Sequence, residues 1–162
     1  MFSADHLQEL FAYQDGALFW KVSRGPNKVV GRCAGGLSSS GYLQVKIGGK
    51  RYKAHRLIWV WHGNDLPDGY EVDHINGNAL DNRIANLRLA THAQNVRNTS
   101  MRKDNTSGAK GVSWSLKAQR WISYVQFEGK KHYVGLFDDF AEAAMAAQRK
   151  REDLHGVFAR HK

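Results

Sequence analysis

Asp73, His74 and Asn95 bring a carboxylate, an imidazole and a carboxamide into one stretch of the chain. Tyr70–His74 reads as a strand that ends on Asp73 and His74. Asn76-Gly77 turns the chain, and Asn86–Ala90 reads as a second strand. Thr91-His92-Ala93-Gln94 has the form of a capping box, which opens a helix to about Met101. Asn95 then lies one turn inside that helix. A helix start folded back over a strand end gathers the three groups, and that trio suits hydrolysis of a phosphodiester. The oxygens of Asp73 and Asn95 fit a hard divalent cation such as Mg²⁺, or Mn²⁺ in its place, which keeps positions for phosphate and water. His74 stands beside the metal ligand. An imidazole titrates near neutrality, so it can take a proton from water. General-base action of this kind contributes roughly 10²–10⁴ in rate. The metal stabilises charge on the phosphate and on the leaving oxygen.

The elements around this segment must hold it. Ser3 caps an expected helix over Ala4–Gln14, with Leu7, Leu10 and Phe11 on one face. Leu18–Val22 reads as a strand and residues 23–41, rich in Gly and Ser, as a loop. Tyr42–Ile47 and Lys50–Ala54 pair across a Gly48-Gly49 hairpin turn. His55–His62 is an expected short buried helix ended by Gly63. Residues 97–110, with many Asn, Thr, Ser, Lys and Arg, read as a basic linker or groove-tracking segment. Gly111–Ser115, Arg120–Phe127 and Lys130–Phe137 are strand-like, with Glu128-Gly129 as the last turn. Asp139 and Glu142 cap a final helix that Gly156 ends.

Charge narrows the partners. Lys and Arg total 24 against 15 acids, giving +9 at pH 7 in a 162-residue chain. A balance this basic favours a polyanion, and nucleic acid is the usual one. No run approaches the ~20 apolar residues of a membrane span. Met1–His6 lacks the basic start and apolar run of a signal peptide, so a cytosolic chain is expected. Cys33 stands alone, which leaves no internal disulfide and no cysteine zinc site.

Val72-Asp73-His74-Ile75-Asn76-Gly77-Asn78, Asp81-Asn82, Asn86-Leu87-Arg88 and Asn95 resemble the ββα-metal His-Asn-His endonucleases, especially the phage and intron homing group. The resemblance covers about residues 50–100, with several elements in the right order. It implies that His74 activates water and that Asp73 and Asn95 bind the metal. Asn86 is then the middle Asn, which keeps strand and loop in register and orients His74. Many members carry His where this chain has Asn95, and the homing group uses Asn. His92 shares the helix face of Asn95 and is the competing ligand, although a hard metal prefers oxygen. Taken singly, a His at a strand end is usually structural, and Asn78, Asn82, Asn86 and Asn95 all suit turns or caps. The ordered pattern favours catalysis.

Residues 107–159 also resemble the ethylene-response-factor (Apetala-type) DNA-binding domain. Ser107-Gly108, Lys110-Gly111-Val112-Ser113-Trp114, Arg120-Trp121, Gly135-Leu136-Phe137 and Ala141-Glu142-Ala143-Ala144 carry that likeness. Alternation along Arg120–Phe127 turns Trp121, Val125 and Phe127 toward Ala143, Ala144 and Ala147 of the last helix. Arg120, Tyr124 and Gln126, extended by Lys131 and Tyr133, then form an outer face shaped for a DNA major groove. The plainer alternative is a small sheet that packs on the rest and contacts no DNA. Lys110 and Arg97 join the expected DNA contacts, as do Lys46, Arg51 and Lys53 of the N-terminal sheet, although lysines also guard edge strands. Arg56 either grips a phosphate or anchors the core.

The expected architecture is α+β in three modules. Residues 1–54 form a DNA-contacting helix and β-hairpin region, residues 55–104 a ββα-metal nuclease core, and residues 105–162 a three-stranded antiparallel sheet on one helix. The expected function is a metal-dependent homing endonuclease, phage- or intron-encoded, in a bacterial cytoplasm. It acts on double-stranded DNA at a long site as a monomer that nicks one strand. The competing functions are a DNA-binding regulator with a silent nuclease core and a less selective phage packaging or restriction-type nuclease. Basic residues in all three modules predict that DNA binding weakens steeply with salt. About six phosphate contacts give a log–log slope of roughly −5. Titration of a target duplex at several salt concentrations measures it, and a slope near zero rules out an extended basic footprint.

Overall fold

Leu7, Leu10, Phe11, Leu18 and Trp20 start the first core, and the chain must reverse between them to bury all five. The computed structural model describes residues 2–23, 29–97, 101 and 104–159 and divides into two compact units, residues 1–91 and 92–162. Helix α1 (Ala4–Leu10) opens on Ser3, whose hydroxyl accepts from the His6 amide at 3.3 Å. The helix stops at Leu10, short of the expected Gln14. Phe11–Gln14 is instead strand β1, paired with β2 (Ala17–Trp20) from Phe11↔Trp20 to Gln14↔Ala17. Asp15 and Gly16 turn the chain with φ of 45° and 85°, a tight hairpin geometry that lets Phe11 bury as a strand residue.

A second sheet has the order β3-β4-β5, from Gly36–Leu37, Leu43–Ile47 and Lys50–Lys53. The expected loop over 23–41 therefore contributes a short edge strand, and residues 24–28 of it lie outside the described residues. Helix α2 (Ala54–Trp61) follows directly and buries Ala54, His55, Leu57 and Ile58. The Trp61 indole donates to the Phe11 carbonyl at 3.0 Å and ties α2 to the first hairpin. The antiparallel pair β6 (Tyr70–His74) and β7 (Leu87–Thr91) adds Val72 and Leu87 to the same core. The expected boundary at 54/55 thus falls after the first residue of α2, inside one packed unit.

The second unit begins with α3, described over His92–Arg97; residues 98–100 of the expected helix lie outside the described residues. Residues 105–109, expected as linker, are folded as a turn. The Asn105 carboxamide oxygen accepts from the Gly108 amide at 2.8 Å, and the Ser107 hydroxyl donates to the Ala109 carbonyl at 3.0 Å. Strands β8 (Val112–Ser115), β9 (Arg120–Phe127) and β10 (Lys130–Phe137) form the expected antiparallel sheet with β9 central. Helix α4 (Phe140–His155) opens on Asp139, which accepts from the Glu142 amide at 2.9 Å, and ends at Gly156. Ala143 and Ala147 are buried against the sheet, and the buried Ser123 hydroxyl donates to the Ala143 carbonyl at 2.8 Å. Helices and small sheets together make the fold α+β. Among the described residues no helix is long and apolar enough to cross a membrane.

The first hairpin turn packs tightly onto a loop of its own unit. A Cβ added at Gly16 would lie 2.8 Å from the Arg83 amide nitrogen and 3.0 Å from the Asn82 carbonyl carbon. Gly16→Ala adds that clash to an unfavourable positive φ. It is expected to cost about 1–3 kcal/mol in urea unfolding; an unchanged midpoint would contradict the close approach.

Candidate active site

Cross-strand pairing on β6 and β7 sets the positions of the chemical groups. Asp73 faces Arg88 and His74 faces Leu87 in the register. By the pleat, His74 shares the core side with Val72, whereas Asp73 points to the other side. Both side chains are buried, 7% exposed for Asp73 and 5% for His74. A carboxylate so enclosed needs a counter-charge. Arg88 supplies it, with Nε and Nη2 at 3.0 and 2.9 Å from Asp73 Oδ2.

His74 Nε2 lies 2.8 Å from Asn82 Oδ1. A carboxamide oxygen only accepts, so Nε2 carries the hydrogen and Nδ1 is the basic nitrogen. This corrects one expectation: Asn86 does not orient His74. The Asn86 oxygen accepts from the Asn76 amide at 3.0 Å, and its Nδ2 donates to Asn76 Oδ1 at 3.0 Å and to the Asp81 carbonyl at 2.7 Å. The Ile75 amide donates to the Asn86 carbonyl at 2.8 Å. These bonds tie the strand ends to the loop between them. Asn76 also donates to Asp81 Oδ2 at 2.8 Å. The Arg83 guanidinium grips Asp81 at 2.7 Å and holds that carboxyl well below the usual carboxylate range. Sequence reasoning named Asn82 within the motif but gave it no task.

His55 is the second residue missed. It is 3% exposed on α2, and its ring stands edge-on to His74 with centroids 4.7 Å apart. Tyr42 completes an aromatic cluster, 5.5 Å from His55 and 6.4 Å from His74. Burial, followed by the charges of His74, Lys53 and Arg56, pushes the His55 pKa down to about 3. Its sequence signal was weak: a histidine beside Arg56 at the start of a mostly apolar helix. Arg56 on the same helix is exposed, which removes the core-anchor alternative.

Asn95 is half-buried on α3, in the second unit together with His92, which is exposed. Asp73 and Asn95 offer hard oxygen donors, which fit a cation of the Mg²⁺ type. Among the described residues no three His, Cys, Asp or Glu side chains gather as a metal cluster.

Lys46 pairs with Arg51 and Gln44 with Lys53 across β4 and β5, so these side chains share one face, on which Lys46, Arg51 and Lys53 are exposed. Lys53 Nζ sits 4.3 Å over the Tyr42 ring, linking that face to the histidine cluster. A hollow of about 680 Å³ is lined by Gln44, Lys46, Arg51 and Ser38–Ser40 among others. In the second unit, the register pairs Tyr124 with Tyr133 and Gln126 with Lys131 on the face away from α4. Lys131 Nζ lies 3.8 Å over the Tyr124 ring. Arg120 is engaged otherwise than expected. Its Nε and Nη2 each lie 2.7 Å from an Asp138 carboxylate oxygen, so its fork is already filled. Lys110 is half-buried, and the Arg97 side chain lies outside the described residues.

Residues 52–97 match the family model of the HNH endonucleases. Over 112 residues the chain is 42% identical to protein 3.8 of Escherichia phage T7, which covers 67% of this chain and 92% of that relative. It is 36% identical over 81 residues to a prophage-derived protein of Bacillus subtilis whose name carries the words HNH homing endonuclease, covering 50% of this chain and 46% of that protein. It is 29% identical over 116 residues to DNA endonuclease I-HmuI of Bacillus phage SP01, covering 70% and 66%. No solved structure matches the chain.

The depressed His55 pKa gives a signed pH dependence. The folded chain holds His55 neutral down to about pH 3, whereas the unfolded chain takes up its proton below about 6.5. The unfolded state therefore binds more protons in that window, and stability falls as pH falls from 6.5 toward 3. Urea midpoints at pH 7.5 and pH 4.5 are expected to drop less for His55→Gln than for the parent; equal drops would count against a buried neutral His55.

Proposed function

The chain belongs to the HNH endonuclease family, as a relative of phage T7 protein 3.8, and from that premise we propose that it is a metal-dependent homing endonuclease. We read it as hydrolysing one strand of duplex DNA at a long site, as a monomer. The observation that carries this reading is the end of β6, where Asn82 holds a buried imidazole and Arg88 a buried carboxylate.

His74 Nδ1 takes the proton of the attacking water, while Asn82 keeps the ring from turning. Asp73, paired with Arg88, presents oxygen to the cation. Asn95 supplies the second oxygen, a role that rests on the sequence pattern and on the chemistry of the carboxamide. When bound, a divalent cation of the Mg²⁺ type supplies charge stabilisation to the phosphate and the leaving oxygen. His55, uncharged beside His74, adds no competing positive charge near the base.

Lys46, Arg51 and Lys53 on the β4–β5 face, with exposed Arg56 on α2, are the proposed phosphate contacts of the first unit. Tyr124, Gln126, Lys131 and Tyr133 are the proposed groove-facing set of the second, in keeping with the Apetala-type pattern and with the sheet-on-helix architecture. Lys110 and Arg97 join them from the sequence pattern. Arg120 reaches a base or a phosphate only after leaving Asp138. The phage origin of two relatives supports action in the cytoplasm of a bacterial host.

His74→Ala is expected to lower the rate of plasmid nicking with Mg²⁺ by about 10²–10⁴-fold and to leave duplex affinity within a few-fold of the parent. Asp73→Asn keeps an oxygen for Arg88, and is expected to raise the Mg²⁺ concentration needed for cutting as well. A His74→Ala chain that cuts within a few-fold of the parent rules out the proposed base.

A further inference from the structure

We propose that Asn82 is the positioning residue of the catalytic base: its carboxamide oxygen holds the Nε2–H of His74 and so makes Nδ1 the nitrogen that receives the proton. The inference deepens the reading of His74 as the base and rests on it. Asn82 is 1% exposed, and its Oδ1 lies 2.8 Å from His74 Nε2. Its other amide atom, Nδ2, is buried with no hydrogen-bond partner among the described residues. An orphaned buried donor carries an uncompensated desolvation penalty, so a residue kept for packing alone would be apolar here. The amide is tolerated because of what its oxygen does.

The backbone that presents Asn82 is held from several sides. Gly16 of the β1–β2 turn abuts the Asn82–Arg83 peptide. The Tyr13 hydroxyl accepts from the Ile84 amide at 3.2 Å. The Asn86 carboxamide holds the Asp81 carbonyl, and the Asp81–Arg83 ion pair spans Asn82 itself. Asn86 has both ends of its own amide engaged in the loop and cannot serve instead. The N-terminal hairpin, far away in sequence, thus braces the residue that aims the base.

The test combines a ring-tautomer measurement with a double-mutant cycle on the full chain. Nitrogen-15 NMR of the metal-free parent is expected to show His74 as the Nε2–H tautomer. Asn82→Leu, similar in size but without an acceptor, is expected to show mixed tautomers. It is also expected to lower kcat for duplex nicking about 10–100-fold while KM stays within about two-fold. In a His74→Ala background the same substitution is expected to change the residual rate less than about two-fold, because a positioning residue acts only through its partner. Asn82→Ser, whose hydroxyl is too short to reach the ring, replaces the Leu variant if that one unfolds. An Nδ1–H tautomer in the parent, a parent-like rate for the Asn82 variant, or an equal loss in the His74→Ala background overturns the proposal. Failure of the underlying base reading is told apart by the His74→Ala single variant, which would then cut like the parent.

Discussion

Between His74 and Leu87 the chain leaves one strand and re-enters its partner, and side-chain amides close that return. Asn86 bonds the Asn76 backbone, the Asn76 side chain and the Asp81 carbonyl, while the Ile75 amide meets the Asn86 carbonyl. A loop of polar residues has little apolar area to bury, so hydrogen bonds must offset the entropy of ordering it. Once it is closed, Asn82 can stand over His74 and Arg88 over Asp73. The precision of the site thus depends on a loop that contributes little to the core, yet is braced by the first hairpin through Gly16 and Tyr13.

The electrostatic arrangement runs from neutral at the centre to cationic outside. His55 is buried and uncharged at neutral pH, and it occupies the space beside His74, the proposed base. A second cation there would repel a proton on His74 and disfavour the imidazolium that general-base catalysis must form. Lys46, Arg51 and Lys53 are exposed on the β4–β5 face, where the proposed phosphate contacts would carry no cost of burying an ammonium. Tyr42 touches both zones, stacked under Lys53 and packed on the two histidines.

In the second unit a similar economy of small residues is visible. Ala143 and Ala147 let α4 lie close on the sheet, and the buried Ser123 hydroxyl is satisfied by donating to the Ala143 carbonyl. The opposite face is left to Tyr124, Gln126, Lys131 and Tyr133, with Lys131 lying over the Tyr124 ring. Arg120, the residue with the best geometry for guanine, is instead paired with Asp138. In the free protein that pair holds the guanidinium in one orientation, and it is exposed enough to be weak.

The order of motif residues from Asp73 to Asn95 was sufficient to point to the HNH endonucleases, because several elements in one order are far more specific than any one of these residues alone. The strand limits of β6, β9 and β10 and the caps at Ser3 and Asp139 were also legible, since alternation and capping are local. Phe11–Gln14 was read as helix because Leu7, Leu10 and Phe11 satisfy a helical face as well as a helix-to-strand junction; only the pairing with Ala17–Trp20 chose between them. Residues 105–109 looked like linker because Asn, Ser and Gly have the same composition whether they are free or folded into a turn. Asn82 and Asn86 are the same residue type in the same polar loop, and no local pattern distinguishes them. Which amide reaches the imidazole is decided by where the closed backbone points each one, so the aim of His74 belongs to the tertiary structure, while the identity of the reacting groups belongs to the sequence.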